Sequence, residues 1–229
     1  MKFAIVGYGK MGKMVERIAL ERGHEIGVKL DDINNSNFEG ITEENFTGVD
    51  AAIDFSVPAA AIPNIEKIAS LKVNLVVGTT GWLDSLEDVK AAVEKNDIGL
   101  VWSPNFSVGV NAFFRIVAEA TKLLSGEPQY EAWAWEIHHS AKKDAPSGTA
   151  VTLRRVLEQA SGVRVGITSE REGEVTGIHT LELNSAGDRI VLTHEAKSRR
   201  TFAEGAVLAA EWIAGRTGFY EFKDIFTQL

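Results

Sequence analysis

Lys2 to Val6 is a short apolar strand, and Gly7-Tyr8-Gly9-Lys10-Met11-Gly12 follows it without a gap. An amphipathic helix comes next, with Met14, Val15, Ile18 and Ala19 at helical spacing and Gly23 near its end. Glu25 to Leu30 reads as a second strand, ending at Asp31-Asp32. Strand, glycine loop, helix, strand and acid in this order point to a βαβ unit that holds a dinucleotide. Gly7 allows the sharp turn, Gly9 lets a diphosphate approach the backbone, and Gly12 lets helix and strand close on one another. The helix N-terminus faces the phosphates, and Asp31 can accept hydrogen bonds from the adenosine ribose. As a rival reading, the same glycines can form a purely structural turn.

Asp31 also bears on cofactor choice. A 2′-phosphate beside a carboxylate costs about 1 kcal/mol per charge pair in water and about 4 kcal/mol near a protein surface. No arginine follows in Asp32-Ile33-Asn34-Asn35 to offset this. The expected cofactor is NADH, with NADPH left open by the nearby Lys29.

The alternation continues. Val49 to Phe55, Val73 to Val77 and Ile98 to Trp102 read as strands, Pro58 to Leu71 and Leu83 to Lys95 as helices, and 33–47 as a polar, irregular excursion. Pro63 is tolerable in its helix only near the first turn. The β-α alternation predicts an α/β fold with a doubly wound parallel sheet of Rossmann type. Ligands of such sheets bind beyond the carboxyl ends of the strands. Gly7–Gly12, Gly78-Thr79-Thr80-Gly81 and Ser103-Pro104-Asn105-Phe106 all fall at such ends and form one candidate crevice, although the second of these can equally be only a turn.

From Asn111 the pattern changes. Asn111 to Leu124 is an apolar helix, strands are expected at Gln129–Ile137, Gly177–Leu183 and Arg189–Ala196, and a hairpin turn at Asn184–Asp188. Phe202 to Ala214 is a further helix, expected to return to the first domain. The chain of 229 residues with net charge −8 does not suit nucleic acid as a main partner. It has no cysteine, which removes disulfides, thiolate metal sites and a thiol nucleophile, and fits a reducing cytoplasm. No apolar run approaches the about 20 residues of a membrane span.

The chemistry concentrates in Glu136-Ile137-His138-His139-Ser140-Ala141-Lys142-Lys143-Asp144-Ala145-Pro146-Ser147-Gly148-Thr149-Ala150. It carries two imidazoles and two ammonium groups, then a turn that opens the helix at Val151–Ala160. Free backbone N–H groups at that helix start make an anion site, with Lys142 and the histidines beside it. A small dicarboxylate can dock there. The bland alternative is a solvated loop in which Ser147 or Thr149 only caps the helix. His24 reads as part of a solvated turn, His179 and His194 as packing or hydrogen-bonding residues, and no metal-ligand spacing is present. Trp133 and Trp135 are expected to cover a sheet face or a subunit interface.

These residues together identify a resemblance. The glycine loop, Asp54-Phe55-Ser56, Gly78–Gly81, Ser103 through Asn111, His138 through Ala150, Thr193-His194 and Phe202–Ala206 resemble the 4-hydroxy-tetrahydrodipicolinate (dihydrodipicolinate) reductase family of lysine and diaminopimelate biosynthesis. The resemblance runs nearly end to end. It implies reduction of 4-hydroxy-tetrahydrodipicolinate by NAD(P)H with loss of water. It further implies His138 as acid/base and Lys142 as proton donor, with His139, Ser147, Gly148 and Thr149 at the substrate carboxylate. Nucleotide contacts would come from Gly7, Tyr8, Gly9, Lys10, Met11, Gly12, Asp31, Gly78, Thr79, Thr80, Ser103, Pro104, Asn105 and Phe106. A Rossmann domain (1–106 and 205–229) would be joined by a smaller α+β domain (107–204) for substrate binding and homotetramer assembly. This chain departs from the family between Arg171-Glu172-Gly173 and Gly177-Ile178-His179-Thr180, where a strand and turn are missing, which trims the second sheet. The rival functions are another Rossmann dehydrogenase of amino or imino acids, and a catalytically silent NAD-binding sensor.

Overall fold

The computed structural model describes residues Met1–Leu229. In chain order the elements are β1 (Lys2–Val6), α1 (Lys10–Glu21), β2 (Glu25–Leu30), β3 (Ala51–Asp54), α2 (Pro58–Ser70), β4 (Asn74–Val77), α3 (Leu86–Asn96), β5 (Gly99–Trp102) and α4 (Val108–Leu124). There follow β6 (Glu131–His138), α5 (Gly148–Ser161), β7 (Ile167–Arg171), β8 (Ile178–Asn184), β9 (Arg189–Glu195), α6 (Arg200–Ile213), β10 (Gly218–Glu221) and the short α7 (Phe222–Ile225). Two compact units result, Met1–Ser107 with Arg200–Leu229, and Val108–Arg199.

The first unit is built on a six-stranded sheet of order β10-β5-β4-β3-β1-β2, every pair parallel. Parallel strands covered on both faces need near-continuous apolar sequence. All four residues of β3 are accordingly buried, whereas the edge strand β2 alternates. Val6, Ala52, Leu75, Val77 and Leu100 pack with Ile65, Ile68, Val89 and Val93 from α2 and α3. The loop before β3 has no regular structure, as its polarity predicts, yet buries Ile41 and Phe46 in this core. Pro63 lies inside α2, deeper than the first turn to which the sequence reading confined it. The carbonyl four residues earlier belongs to exposed Ala59, where water can take the place of the missing N–H. The four-residue strand β10 was not foreseen from sequence. It is too short to show a period, and it pairs only with β5 at the sheet edge.

The second unit has a four-stranded sheet of order β7-β6-β8-β9. β6 and β7 are parallel, with α5 as the crossover that parallel neighbours require; the other pairs are antiparallel. Phe113 and Val117 of α4 and Leu153 and Leu157 of α5 pack on Ala134, Leu181 and Leu183 of the sheet. Each such side chain contributes about 1.5–3 kcal/mol by leaving water. β7 escaped the sequence reading because Ile167 is its only large apolar residue. Its partner β6 runs to His138, one residue beyond expectation, so His138 projects from a strand rather than from a loop.

Candidate active site

In the first unit, Gly7 adopts φ +87°, and a Cβ on it would stand 2.3 Å from the Phe55 carbonyl oxygen. A Cβ on Gly12 would stand 2.3 Å from the Gly7 carbonyl oxygen, so helix α1 can approach β1 only because that side chain is absent. A Cβ on Gly9 would meet nothing within 4 Å. Gly9 caps α1 without any side-chain hydrogen bond, so no capping side chain takes up the first-turn N–H groups. This cradle fits a diphosphate. Lys10 is exposed at the helix start and Met11 half-buried behind it.

Asp31 follows β2 in a turn locked by side chains. Its Oδ1 accepts from the N–H groups of Ile33 (2.9 Å) and Asn34 (3.1 Å), while Asn34 Oδ1 accepts from its own N–H (2.7 Å). Lys29 lies nearby, but its Nζ donates to Glu16 Oε1 at 3.0 Å and sits 5.0 Å from the Tyr8 ring centre. The Tyr8 hydroxyl donates to the other Glu16 oxygen. These hydrogen bonds, that from Tyr8 first, hold the Glu16 carboxyl below its ordinary value, and Glu16 in turn raises Lys29.

At the next strand ends, Asp54 is fully buried and acts as a knot. Its Oδ1 accepts from Thr79 Oγ1 (2.6 Å), the Ser56 N–H (2.8 Å) and Ser56 Oγ (2.7 Å), and Oδ2 accepts from Asn64 Nδ2 (3.0 Å). Burial pushes the Asp54 carboxyl up against these bonds. Thr79 therefore spends its hydroxyl on Asp54, while Thr80 and Pro104 stay exposed and Gly78 is packed under the Phe55 ring. Ser103 Oγ donates to the Asn105 carbonyl (2.8 Å), and Asn105 Oδ1 accepts from Ser107 N–H (2.9 Å). Phe106 is a core residue, its ring centre 4.9 Å from that of Phe222, so it can offer a ligand only backbone.

In the second unit, His138 closes β6 with its side chain on the helix-covered face. His139 is half-buried beside it. Lys142 Nζ is 2.8 Å from Asp144 Oδ1, and this ammonium holds the Asp144 carboxyl below its ordinary value. The Ala145–Pro146 peptide is cis, and α5 starts at Gly148, exposed, with Thr149 half-buried. Ser147 turns inward. Its Oγ caps α5 by accepting from Ala150 N–H at 3.1 Å and donates to Glu136 Oε2, and its N–H donates to Glu136 Oε1 at 2.9 Å. The outward part of the helix start is thus Gly148 and Thr149, with Ser147 supporting them from beneath.

Glu136, buried to 0% exposure, carries no role in the sequence pattern yet stands at the centre of this group. Besides Ser147 it meets Arg171 Nη2 at 3.3 Å, His138 Nδ1 at 3.2 Å and His179 Nε2 at 3.5 Å. Burial pushes its carboxyl up, but the polar groups around it, His138 and His179 first and then Ser147, outweigh burial and hold it far below the carboxylate range. Burial pulls His179 below its ordinary value, and the same holds for its cross-strand partner His194. His179 is thus a hydrogen-bonding residue, as expected. The available signal for Glu136 was its spacing: residues 136 and 138 of one strand share a face. The donor atoms of Glu136, His138 and His179 lie within 4.8 Å of one another. The Arg171 guanidinium on Glu136 opposes a second cation there.

His24 is not in a solvated turn. Its side chain is 12% exposed, and Nε2 lies 2.6 Å from Glu211 Oε1, which Arg22 also grips. A hydrogen bond across 187 residues has no local sequence signature.

The sequence models of dihydrodipicolinate reductase match this chain in both halves, the N-terminal one over residues 1–106 and the C-terminal one over 109–226. The 4-hydroxy-tetrahydrodipicolinate reductase of Christiangramia forsetii is 40% identical over all of this chain and 99% of its own length. That of Methanosarcina mazei is 38% identical over 87% of this chain and 80% of its own length. The dipicolinate-bound dihydrodipicolinate reductase of Paenisporosarcina sp. TG-14 superposes with a TM-score of 0.79 over 98% of this chain and 99% of that one, at 17% identity, which shows a shared fold. No helix is long and apolar enough to cross a membrane. With the glycine cradle in one unit, the His138–Thr149 stretch in the other and full-length identity of this order, the chain belongs to the dihydrodipicolinate reductase family.

Proposed function

We propose that this chain reduces 4-hydroxy-tetrahydrodipicolinate to tetrahydrodipicolinate, with loss of water, and that His138 and Lys142 handle the protons. A nicotinamide dinucleotide, when bound, supplies the hydride. The observation that carries the reading is the clustering, within one unit, of His138, Lys142 and an outward-facing helix start at Gly148-Thr149. A dicarboxylate needs compensating charge, which His139, Lys142 and the first turn of α5 offer, with Ser147 fixing that turn. Lys142 donates the proton that reduction demands, and His138 serves as the acid/base. Asp144 holds the Lys142 ammonium in place.

The cofactor contacts are assigned to Gly7–Gly12, Asp31, Gly78–Thr80 and Ser103–Phe106, the last through backbone. NADH is the favoured partner. Asp31 would repel a 2′-phosphate, and the nearby Lys29 is already engaged by Glu16. Residues Met1–Ser107 with Arg200–Leu229 are the dinucleotide-binding part, and Val108–Arg199 the substrate-binding and tetramer-forming part.

The test couples the purified protein to dihydrodipicolinate synthase supplied with pyruvate and aspartate semialdehyde. Oxidation of NADH that requires the synthase, and is faster than that of NADPH, is the expected result. Binding of NADH with no synthase-dependent oxidation would instead support the silent-sensor reading.

A further inference from the structure

Glu136 lies at the meeting point of every element around His138. Ser147 reaches it from the start of α5, Arg171 from β7, His179 from β8, and His138 from two residues along β6. Lys142 and Asp144 flank the group from the connecting loop, and His194 stands one strand beyond His179. Ser169 faces Glu136 from the adjacent β7 rung and carries no charge.

Two facts decide what this carboxylate does. Its oxygens receive three donors that only donate or donate here: the Ser147 N–H, the Ser147 hydroxyl and the Arg171 guanidinium. A group so loaded is an acceptor, not a proton donor to substrate. Next, His138 Nδ1 is buried and meets no partner in well-directed hydrogen-bond geometry; Glu136 Oε2, at 3.2 Å, is its polar neighbour and the acceptor within reach of a proton there. A bare lone pair on Nδ1 would face a carboxylate in a buried site, whereas an N–H there meets an acceptor.

We propose that Glu136 is the positioning residue of the proton-transfer centre: it holds His138 with its proton on Nδ1, which reserves Nε2 for exchange with substrate. The inference rests on the assignment of His138 as acid/base. As an acid, the doubly protonated ring gives up the Nε2 proton and keeps the one on Nδ1, and the Glu136 charge offsets the imidazolium before transfer. As a base, the neutral ring takes a proton at Nε2. Glu136 gains and loses no proton in either direction. The arrangement is the buried carboxylate–imidazole relation that fixes a tautomer in other acid/base centres.

The experiment is ¹⁵N NMR of the uniformly labelled protein with NADH bound, with the His138 ring assigned by comparison with His138→Asn, alongside steady-state kinetics of Glu136→Gln. In the wild type, neutral His138 should show a protonated Nδ1 and a bare Nε2. In Glu136→Gln that preference should be lost, kcat should fall about 100-fold or more, and KM for NADH should stay within about twofold. A wild-type ring protonated on Nε2 overturns the proposal, as does a Glu136→Gln variant that keeps both the tautomer and kcat. If Glu136→Gln does not fold, the wild-type tautomer decides alone. Loss of the tautomer with kcat unchanged would uphold the role of Glu136 and remove His138 from the chemistry, so the two assignments fail separately.

Discussion

Gly177 lies one rung beyond the Ile137–Ile178 pair, opposite His138, and a Cβ placed on it would stand 2.9 Å from His138 Nε2. The Nε2 edge, to which we assign the exchange of protons with substrate, therefore rests on a residue with no side chain. Gly177→Ala should tilt or slide the imidazole. A displacement of this kind typically costs about 100-fold in turnover. The expectation is a loss of kcat of that order with NADH affinity unchanged, measured by coupled kinetics and fluorescence titration; an unaltered kcat would mean that His138 Nε2 works elsewhere.

The glycine loop offers a cleaner separation of fold from binding. Gly9→Ala adds a methyl into open space, so urea midpoints should stay within about 0.5 kcal/mol of wild type. NADH affinity should nevertheless drop about tenfold or more, since the methyl occupies the place of the diphosphate. Gly12→Ala should do both, because its Cβ strikes the Gly7 backbone: about 1–3 kcal/mol of stability lost along with binding. Equal affinity losses with no stability difference would contradict the distinct roles given to the two glycines.

Acid should weaken the fold in two stages. His179 and His194 lie below their ordinary value of 6.5 when folded, and Glu136 lies below 4.5. In each case the unfolded chain binds the proton more readily, so stability is complete above pH 6.5 and declines as pH falls. The imidazoles account for the decline that starts at 6.5, and Glu136, joined by Asp144 and Asp188, for the decline below 4.5. Urea unfolding at a series of pH values, followed by a probe in Val108–Arg199, should show this slope, and His179→Gln should flatten its upper part. A stability that rises on acidification through that range would refute the scheme.

Self-association is expected on the sheet face of the second unit turned away from α4 and α5. Trp133 is 47% exposed there, stacked on Trp135 at 6.4 Å between ring centres, and Val191 is equally exposed. Trp133→Glu would place a charge in that face. Sedimentation should show a tetramer for the wild type and a smaller species for Trp133→Glu; the same species for both would move the interface elsewhere.

What the sequence made legible was whatever leaves a local pattern. Gly7, Gly9 and Gly12 each have a steric reason visible in the spacing, and the run from His138 to Thr149 concentrates charge that no ordinary loop needs. Ser147, by contrast, could be read as facing substrate or as capping a helix, and only its depth reveals that it holds Glu136. Asp54, Glu136, Arg171 and His179 acquire meaning only when β3 meets α2, or when β6, β7 and β8 come side by side. β7 itself, with one large apolar residue, carries no period to detect. Long-range polar knots are invisible to patterns of a few residues because their partners are set by the sheet order.

The chain from β7 to β8 crosses the end of β6 in the six residues Glu172–Gly177, tied down where Glu172 N–H meets the His138 carbonyl at 2.8 Å and Ser140 N–H meets that of Gly173 at 3.0 Å. Everything that touches Glu136 is supplied by the strands and helix start on the near side of this bridge. A short direct bridge therefore suffices at this end of the sheet: the surroundings of Glu136 are complete without any further strand between β7 and β8.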